Sequence, residues 1–285
     1  MLKAAYSGVP GSYAEEAALR YFDAEVSAGR LGEYGLVQAD SFADALDAVQ
    51  DGRADRAVLP IENSSTGSIS AVYDLIAGRG FSIIGEQPIA VNQCLMAKPG
   101  TTLADIEGVY SHEQGISQSR EFLSAYPHWQ LIPVYNTAAA AKMVSESLDK
   151  GKAAIASRRA AELYGLKILA DGINFKGQNQ TRFVILAKEA CHTTRNNKVS
   201  LMFSLPHVSG SLYRILGIFA RERLNLLKIE SRPLSDCNWE YLFFLDFTAD
   251  TIDERLERFL GEVEAETQSL RVLGYYENRV EARQL

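Results

Sequence analysis

The chain has 285 residues, enough for a sizeable core and two domains. With 47% hydrophobic and 23% charged residues it reads as a globular protein, and a net charge of −7 without any basic stripe argues against a nucleic-acid partner. No apolar run reaches membrane-spanning length, and Met1 to Tyr6 is too brief for a leader, so a cytoplasmic protein is expected.

Leu2 to Tyr6 reads as a strand and Gly8-Val9-Pro10-Gly11 as a turn. Ser12 then N-caps a helix through Phe22, with Glu15 and Glu16 in its first turn. Ser41 caps the next helix, where Phe42, Ala45, Leu46 and Val49 form one face. Arg56 to Ile61 is a strand and Ser68 to Ile76 a helix. Val109-Tyr110, Gln130 to Val134 and Ala153 to Ala156 are further strands with helices between. This alternation predicts a mainly parallel sheet covered on both faces. Asn179-Gln180-Thr181-Arg182-Phe183 then runs into the apolar strand Val184-Ile185-Leu186, a polar cluster at the kind of strand end where α/β proteins hold small ligands.

Ala190 to Asn197 is polar and reads as a linker, after which the pattern changes. Val199, Leu201, Phe203 and Leu205 alternate as a half-buried strand, and Leu212, Ile215, Leu216, Phe219 and Ala220 mark a helix face. Asn225 to Ile229 is a strand ended by Pro233, and Tyr241, Phe243, Leu245 and Phe247 alternate again. Ile252, Leu256, Phe259, Leu260 and Val263 give a second helix, and Leu270 to Tyr275 a last strand. The order βαββαβ is the ferredoxin-like unit.

Several segments carry chemistry-bearing residues. Gly8 to Ser12 joins a strand to a helix start and is one glycine short of the dinucleotide fingerprint. It is either a tight turn with a capping serine or an anion-holding turn. Pro60 to Ser68 places Glu62, Asn63, hydroxyls and Gly67 at the end of a buried strand, while Ser68 reads as a structural cap. Ser111 to Gln118 opens a helix, and there His112 reads as a hydrogen-bonded structural residue, because sequence neighbours on a helix do not face each other. Glu230-Ser231-Arg232-Pro233 lies opposite the turn Pro206 to Leu212. Its Arg and Glu form either a structural ion pair or part of a carboxylate site. Cys94, Cys191 and Cys237 are far apart and read as incidental thiols. The four histidines are equally scattered, so no metal is expected.

Read together, these segments resemble the prephenate dehydratase family over essentially the whole chain. The blocks are Gly8-Val9-Pro10-Gly11-Ser12-Tyr13, Leu59-Pro60-Ile61-Glu62-Asn63-Ser64 with Gly67-Ser68-Ile69, Tyr110-Ser111-His112 with Gln114, and Asn136-Thr137-Ala138-Ala139. Ala154-Ile155-Ala156-Ser157, Leu163-Tyr164-Gly165-Leu166 and Thr181-Arg182-Phe183 complete them. Residues 198–276 resemble an ACT domain, with Lys228 to Pro233 as its phenylalanine-responsive signature. No chorismate mutase helices precede residue 1, so the likeness is to the monofunctional bacterial form. Glu113 stands where the family usually has Pro, Gly115 replaces a bulkier residue, and Gly210-Ser211-Leu212-Tyr213 replaces the commoner Gly-Ala-Leu-Val.

The resemblance implies an α/β fold. A two-lobed, periplasmic-binding-protein-like catalytic domain with an active-site cleft spans 1–189, with lobe one about 1–78 and 168–189 and lobe two about 79–167. A C-terminal ferredoxin-like ACT regulatory domain follows over 198–276. It also implies decarboxylating dehydration of prephenate to phenylpyruvate, in L-phenylalanine biosynthesis, without a cofactor. Thr181, Glu62, Asn63, Ser111 and Gln118 would be catalytic, with Thr181 at the departing hydroxyl. Arg182, Phe183, Ser12 and Thr137 would bind substrate, Arg182 alternatively forming a structural salt bridge. L-phenylalanine would bind near Gly210, Ser211, Leu212, Glu230, Ser231 and Arg232 in a homodimer or homotetramer. An arogenate dehydratase, or a non-catalytic amino-acid-sensing protein, are the competing readings.

Overall fold

A computed structural model describes residues 1–174, 179–191, 193–233, 241–249 and 254–280; His192, Cys237 and Ile252 lie outside them. The first elements are β1 (Leu2–Ser7), α1 (Tyr13–Ser27), β2 (Tyr34–Ala39), α2 (Phe42–Gln50), β3 (Arg56–Asn63), β4 (Gly67–Ser68), α3 (Ser70–Arg79) and β5 (Ser82–Ala90). Ser12 and Ser41 cap α1 and α2 as expected, each accepting the N–H three residues on, from Glu15 and Asp44. Ser68 is not a cap: it pairs with Glu62 in the short strand β4, and the helix begins at Ser70.

The chain continues with β6 (Cys94–Ala97), β7 (Gly108–Ser111), α4 (Glu113–Gln118), α5 (Arg120–Leu123), β8 (Gln130–Pro133), α6 (Thr137–Glu146), β9 (Lys152–Ala156), α7 (Arg158–Leu163), β10 (Lys167–Ala170) and β11 (Gln180–Ala187). Two sheets result. The first has the order β2-β1-β3-β11-β5 with β4 paired to β3, and the second β10-β6-β9-β7-β8. Strand β5 therefore belongs to the first sheet and β10 to the second. The crossovers fall after residues 90 and 170, later than the expected lobe limits of 79 and 168.

The second sheet is mixed rather than mainly parallel. β7 runs parallel to β8 and β9, whereas β6 is antiparallel to both β9 and β10. Its strands β6 and β9 are apolar on both faces. Cys94, Met96, Ala154 and Ala156 pack under the alanine-rich α6, while Leu95, Ala97, Ala153 and Ile155 meet Ile106, Leu123 and Trp129.

By contacts the described chain forms two compact units, one of residues 1–72 with 87–183 and one of residues 73–86 with 184–285. The second unit contains β12 (Lys198–Ser204), α8 (Ser211–Glu222), β13 (Leu226–Pro233), β14 (Tyr241–Thr248), α9 (Glu254–Ala265) and β15 (Ser269–Tyr276). Their antiparallel order β13-β14-β12-β15 is that of the expected ferredoxin-like unit. Strand alternation divides the faces. Val199, Leu201, Phe203, Leu245 and Phe247 pack on Ile215, Phe219, Phe259 and Val263 of the two helices.

The opposite face of that sheet lies on residues 73–86. Phe244 meets Tyr73 at a centroid distance of 4.5 Å, and Arg271 donates to the carbonyls of Ile76, Ala77 and Phe81. Arg271 thus satisfies carbonyls that the end of α3 leaves open. Lys198, 4% exposed, meets the fully buried Glu86 at 2.8 Å, and the Ser200 hydroxyl donates to Asp246. Gly274 packs so closely that a Cβ would stand 2.0 Å from the Ile83 carbonyl oxygen. The described residues of the linker, 190–191 and 193–197, form no helix or strand but are fastened, since buried Asn196 donates to the Tyr275 carbonyl at 2.6 Å.

Candidate active site

A cavity of about 520 Å³ lies within the first unit. Its wall gathers the starts of four helices: Ser12, Tyr13 and Ala14 of α1, Ser41 and Phe42 of α2, His112 and Gln114 of α4, and Asn136 and Thr137 of α6. Each helix start presents the positive end of its dipole, and the Ser12, Ser41, His112 and Asn136 side chains accept some but not all of its first N–H groups. No lysine or arginine is among the described lining residues, and Asp40 supplies the carboxylate of the wall. The cavity can thus attract anionic groups through backbone donors rather than through cationic side chains.

The floor is made where β3 and β11 lie side by side. Thr181 and Phe183 line the cavity, while the alternation of a strand sends Arg182 to the other face. There its guanidinium, 9% exposed, donates to Glu62 at 3.1 Å. Neither Arg182 nor Glu62 lines the cavity. The pair is the structural salt bridge given as the alternative for Arg182.

Asn63 is held in one orientation. Its Oδ1 accepts from the N–H groups of Ser65 and Thr66 at 2.9 and 3.1 Å, which fixes which end of the amide is which. The Nδ2 group therefore donates to Asn179 Oδ1 at 2.7 Å and to Thr181 Oγ1 at 3.0 Å. With its oxygen engaged as an acceptor, the Thr181 hydroxyl can still donate its own hydrogen. Thr181 is 9% exposed and Asn63 5%, so both act in a largely desolvated place.

Ser12, Thr137 and Gln118 line the cavity as expected. Ser111 does not. It is fully buried, and its hydroxyl donates to the Ile155 carbonyl at 2.7 Å, tying β7 to β9 beneath the start of α4. Gly115, a lining residue, packs against it so tightly that a Cβ would stand 2.6 Å from Ser111 Oγ. His112 caps α4, its Nδ1 accepting from the Gln114 N–H at 3.2 Å, which agrees with the structural reading. Gln114 also donates to Thr66 Oγ1 at 2.9 Å.

The turn Gly8 to Ser12 closes one side. Gly11 adopts φ +87 with Ala160 Cα only 3.1 Å from where a Cβ would stand, and Ser157, the cap of α7, donates to the Gly11 carbonyl. Burial holds the Tyr13 phenol protonated, well above the ordinary tyrosine range, and its hydroxyl donates to the Asn92 carbonyl.

Gln93, Asn136 and Asn179 are cavity or floor residues that no motif singled out individually. Asn136 had a signal, because an Asn before an alanine-rich helix is a strong cap, and its Oδ1 accepts from the Ala138 and Ala139 N–H groups. Gln93 had a weaker one, the second of two adjacent carboxamides, Asn92-Gln93, between the apolar Val91 and Cys94-Leu95.

The profile of the family described as prephenate dehydratase matches residues 4–191. The chain belongs to the prephenate dehydratase family. Among its relatives is a bifunctional chorismate mutase/prephenate dehydratase of Enterobacter agglomerans, 36% identical over 95% of this chain and 70% of that protein. The chloroplastic arogenate dehydratase 5 of Arabidopsis thaliana is 39% identical over 96% of this chain and 67% of that one. A prephenate dehydratase of Arthrobacter aurescens, solved in complex with L-Phe, has a TM-score of 0.85 at 28% identity, covering 97% of this chain and 90% of that chain. A structure described as the quorum-quenching acylase GqqA has the same TM-score at 29% identity, over 98% of each chain.

The residues that the family resemblance assigns to phenylalanine divide between two faces of the second unit. Ser211 and Leu212 border a cavity of about 330 Å³ with Pro206, His207, Tyr241 and Phe243, and Gly210 is the cap of α8. Arg232 instead pairs with Asp74 at 3.0 Å on the opposite face of the sheet. Glu230 shares that face by strand alternation, whereas Ser231 lies in register with Phe243. A single chain therefore does not bring the six together.

Proposed function

We propose that this member of the prephenate dehydratase family is a hydro-lyase that converts prephenate to phenylpyruvate in the cavity of the first unit. The C–O bond to the ring hydroxyl and the bond to the ring carboxylate break, and the electron pair of the latter enters the ring as it becomes aromatic. Carbon dioxide leaves, and the hydroxyl departs with a proton as water. The observation that carries this reading is the Thr181 hydroxyl, which lines the cavity and whose oxygen accepts from Asn63, an arrangement that leaves its hydrogen available to a ligand. A hydrogen bond from Thr181 tightens as charge develops on the leaving oxygen, while the helix starts receive the substrate's carboxylates.

The test is Thr181→Ala, assayed for phenylpyruvate formation from prephenate. A fall in kcat of about 100-fold or more is expected, with KM within a few-fold of wild type and an unchanged melting temperature. Thr181→Ser restores much of the rate. Near-normal turnover by the alanine variant overturns the assignment.

The carboxylate of Asp40, with no lysine or arginine among the described lining residues, favours a second substrate, arogenate, whose ammonium replaces the keto group. Paired assays with prephenate and arogenate decide the preference. The second unit is proposed to bind L-phenylalanine beside Ser211 and Leu212 and to lower activity, in a dimer or tetramer that brings Glu230 and Arg232 of one subunit toward this cavity of another. Rates unchanged by millimolar phenylalanine, or a monomer by light scattering, would falsify this part.

A further inference from the structure

The geometry points to Gln93 as a further substrate-positioning residue, its side-chain oxygen accepting a hydrogen bond from an O–H or N–H donor on the substrate. Gln93 is 3% exposed and lines the cavity, yet its Oε1 has no hydrogen-bond partner among the described residues. Its backbone is fixed on both sides: the N–H donates to Asn174 Oδ1 at 3.0 Å, and the carbonyl accepts from the Ile173 N–H at 2.9 Å. The backbone is therefore fixed at the crossover between the two sheets, and the carboxamide it carries borders the cavity.

Glycine at 115 keeps the carboxamide in reach. A Cβ there would already stand in van der Waals contact, 3.7 Å from Gln93 Nε2 and 3.4 Å from the Thr137 methyl, so the glycine leaves the carboxamide and Thr137 on one open stretch of wall. A buried acceptor left unpaired is costly, and a folded site that keeps one gains when a ligand supplies the donor. Both substrates under consideration carry the ring hydroxyl, and arogenate carries an ammonium as well. This inference rests on the proposed dehydratase reading.

The test is Gln93→Met, which keeps length and bulk but removes the acceptor. For the ligand-free protein the expected result is a melting temperature equal to or above that of wild type, because the unpaired acceptor is gone. With substrate, KM rises by about 2- to 10-fold while kcat stays within 2-fold. Measured with both compounds, a rise for each assigns the donor to the ring hydroxyl, and a rise for arogenate alone assigns it to the ammonium. An unchanged KM for both, or a lowered melting temperature with kcat and KM lost together, overturns the inference. Turnover of neither compound by the wild-type enzyme would instead sink the dehydratase reading, leaving the stability comparison intact.

Discussion

Replacing Lys198 by methionine tests the ion pair inside the second unit. Lys198 Nζ and Glu86 Oε2 are 2.8 Å apart, with side-chain exposures of 4% and 0%. At an effective dielectric of about 20, two unit charges at that distance attract by about 6 kcal/mol. Each ion gave up several kcal/mol of hydration to reach the interior, so the intact pair is close to neutral overall. Removing the lysine abolishes the attraction but leaves Glu86 buried, with the Arg279 and Val280 N–H groups at 3.0 and 3.4 Å. The expected loss is about 3–5 kcal/mol, read from urea melts of the whole protein. Glu86→Gln with Lys198→Met recovers part of it, since Glu86 is then neutral and Asp246, 3.9 Å from Lys198 Nζ in the wild type, keeps its carboxylate. A loss below about 1 kcal/mol for Lys198→Met, or a double variant equal to the sum of the two single losses, refutes the reasoning.

Gly115→Ala forces a Cβ to within 2.6 Å of Ser111 Oγ, so either that hydroxyl or α4 must move. A loss of about 1–3 kcal/mol in stability and a fall in kcat/KM are expected, checked by thermal melts beside prephenate kinetics. Asn63→Asp replaces the donor to Thr181 Oγ1 with an acceptor while retaining the oxygen that holds the turn at Ser65 and Thr66. The kcat for prephenate should drop by about 100-fold, and an unaffected kcat would remove Asn63 from the machinery. Burial, and then the hydrogen bond to Asp171, push the Cys94 thiol up to about 12 from an ordinary 9.0. Its folded value lies above its unfolded one, so its contribution is complete below pH 9.0 and is lost as pH rises toward about 12. Cys94→Ala should flatten that decline, and peptide mapping after iodoacetamide at about pH 8 should find exposed Cys191 labelled and Cys94 protected.

Much of the architecture could be read from hydrophobic period and caps, because those signals are local. Ser12 and Ser41 cap their helices as expected, and the alternation in residues 199–205 and 241–247 gave two of the four strands of the last sheet. The lobe limits were displaced because sheet membership is a long-range property. Nothing in Ser82 to Ala90 says that it joins the first sheet, nor in Lys167 to Ala170 that it joins the second.

At the site, the polar cluster marked the right strand but not the faces. The strand extends back to Gln180, so Thr181 and Phe183 look into the cavity while Arg182 turns away to Glu62. Ser111 illustrates a related limit: a serine after a strand resembles a ligand-binding group whether its hydroxyl meets substrate or, as here, a neighbouring carbonyl. The pairing that distinguishes Thr181, a donor amide oriented by two backbone N–H groups, depends on Asn63 and Asn179 lying far apart in the chain and adjacent in space.

The way β12 and β15 lie on residues 73–86 bears on how this protein can be recombined. A chimera carrying another C-terminal module would need a lysine where Lys198 meets Glu86, an arginine to close the carbonyls that Arg271 closes, and a residue without a side chain where Gly274 meets Ile83. A seam cut in the 190–197 segment satisfies none of these. The natural cassette for exchange is the ferredoxin-like unit together with the end of α3 and the first half of β5, two pieces of chain that must be moved as one.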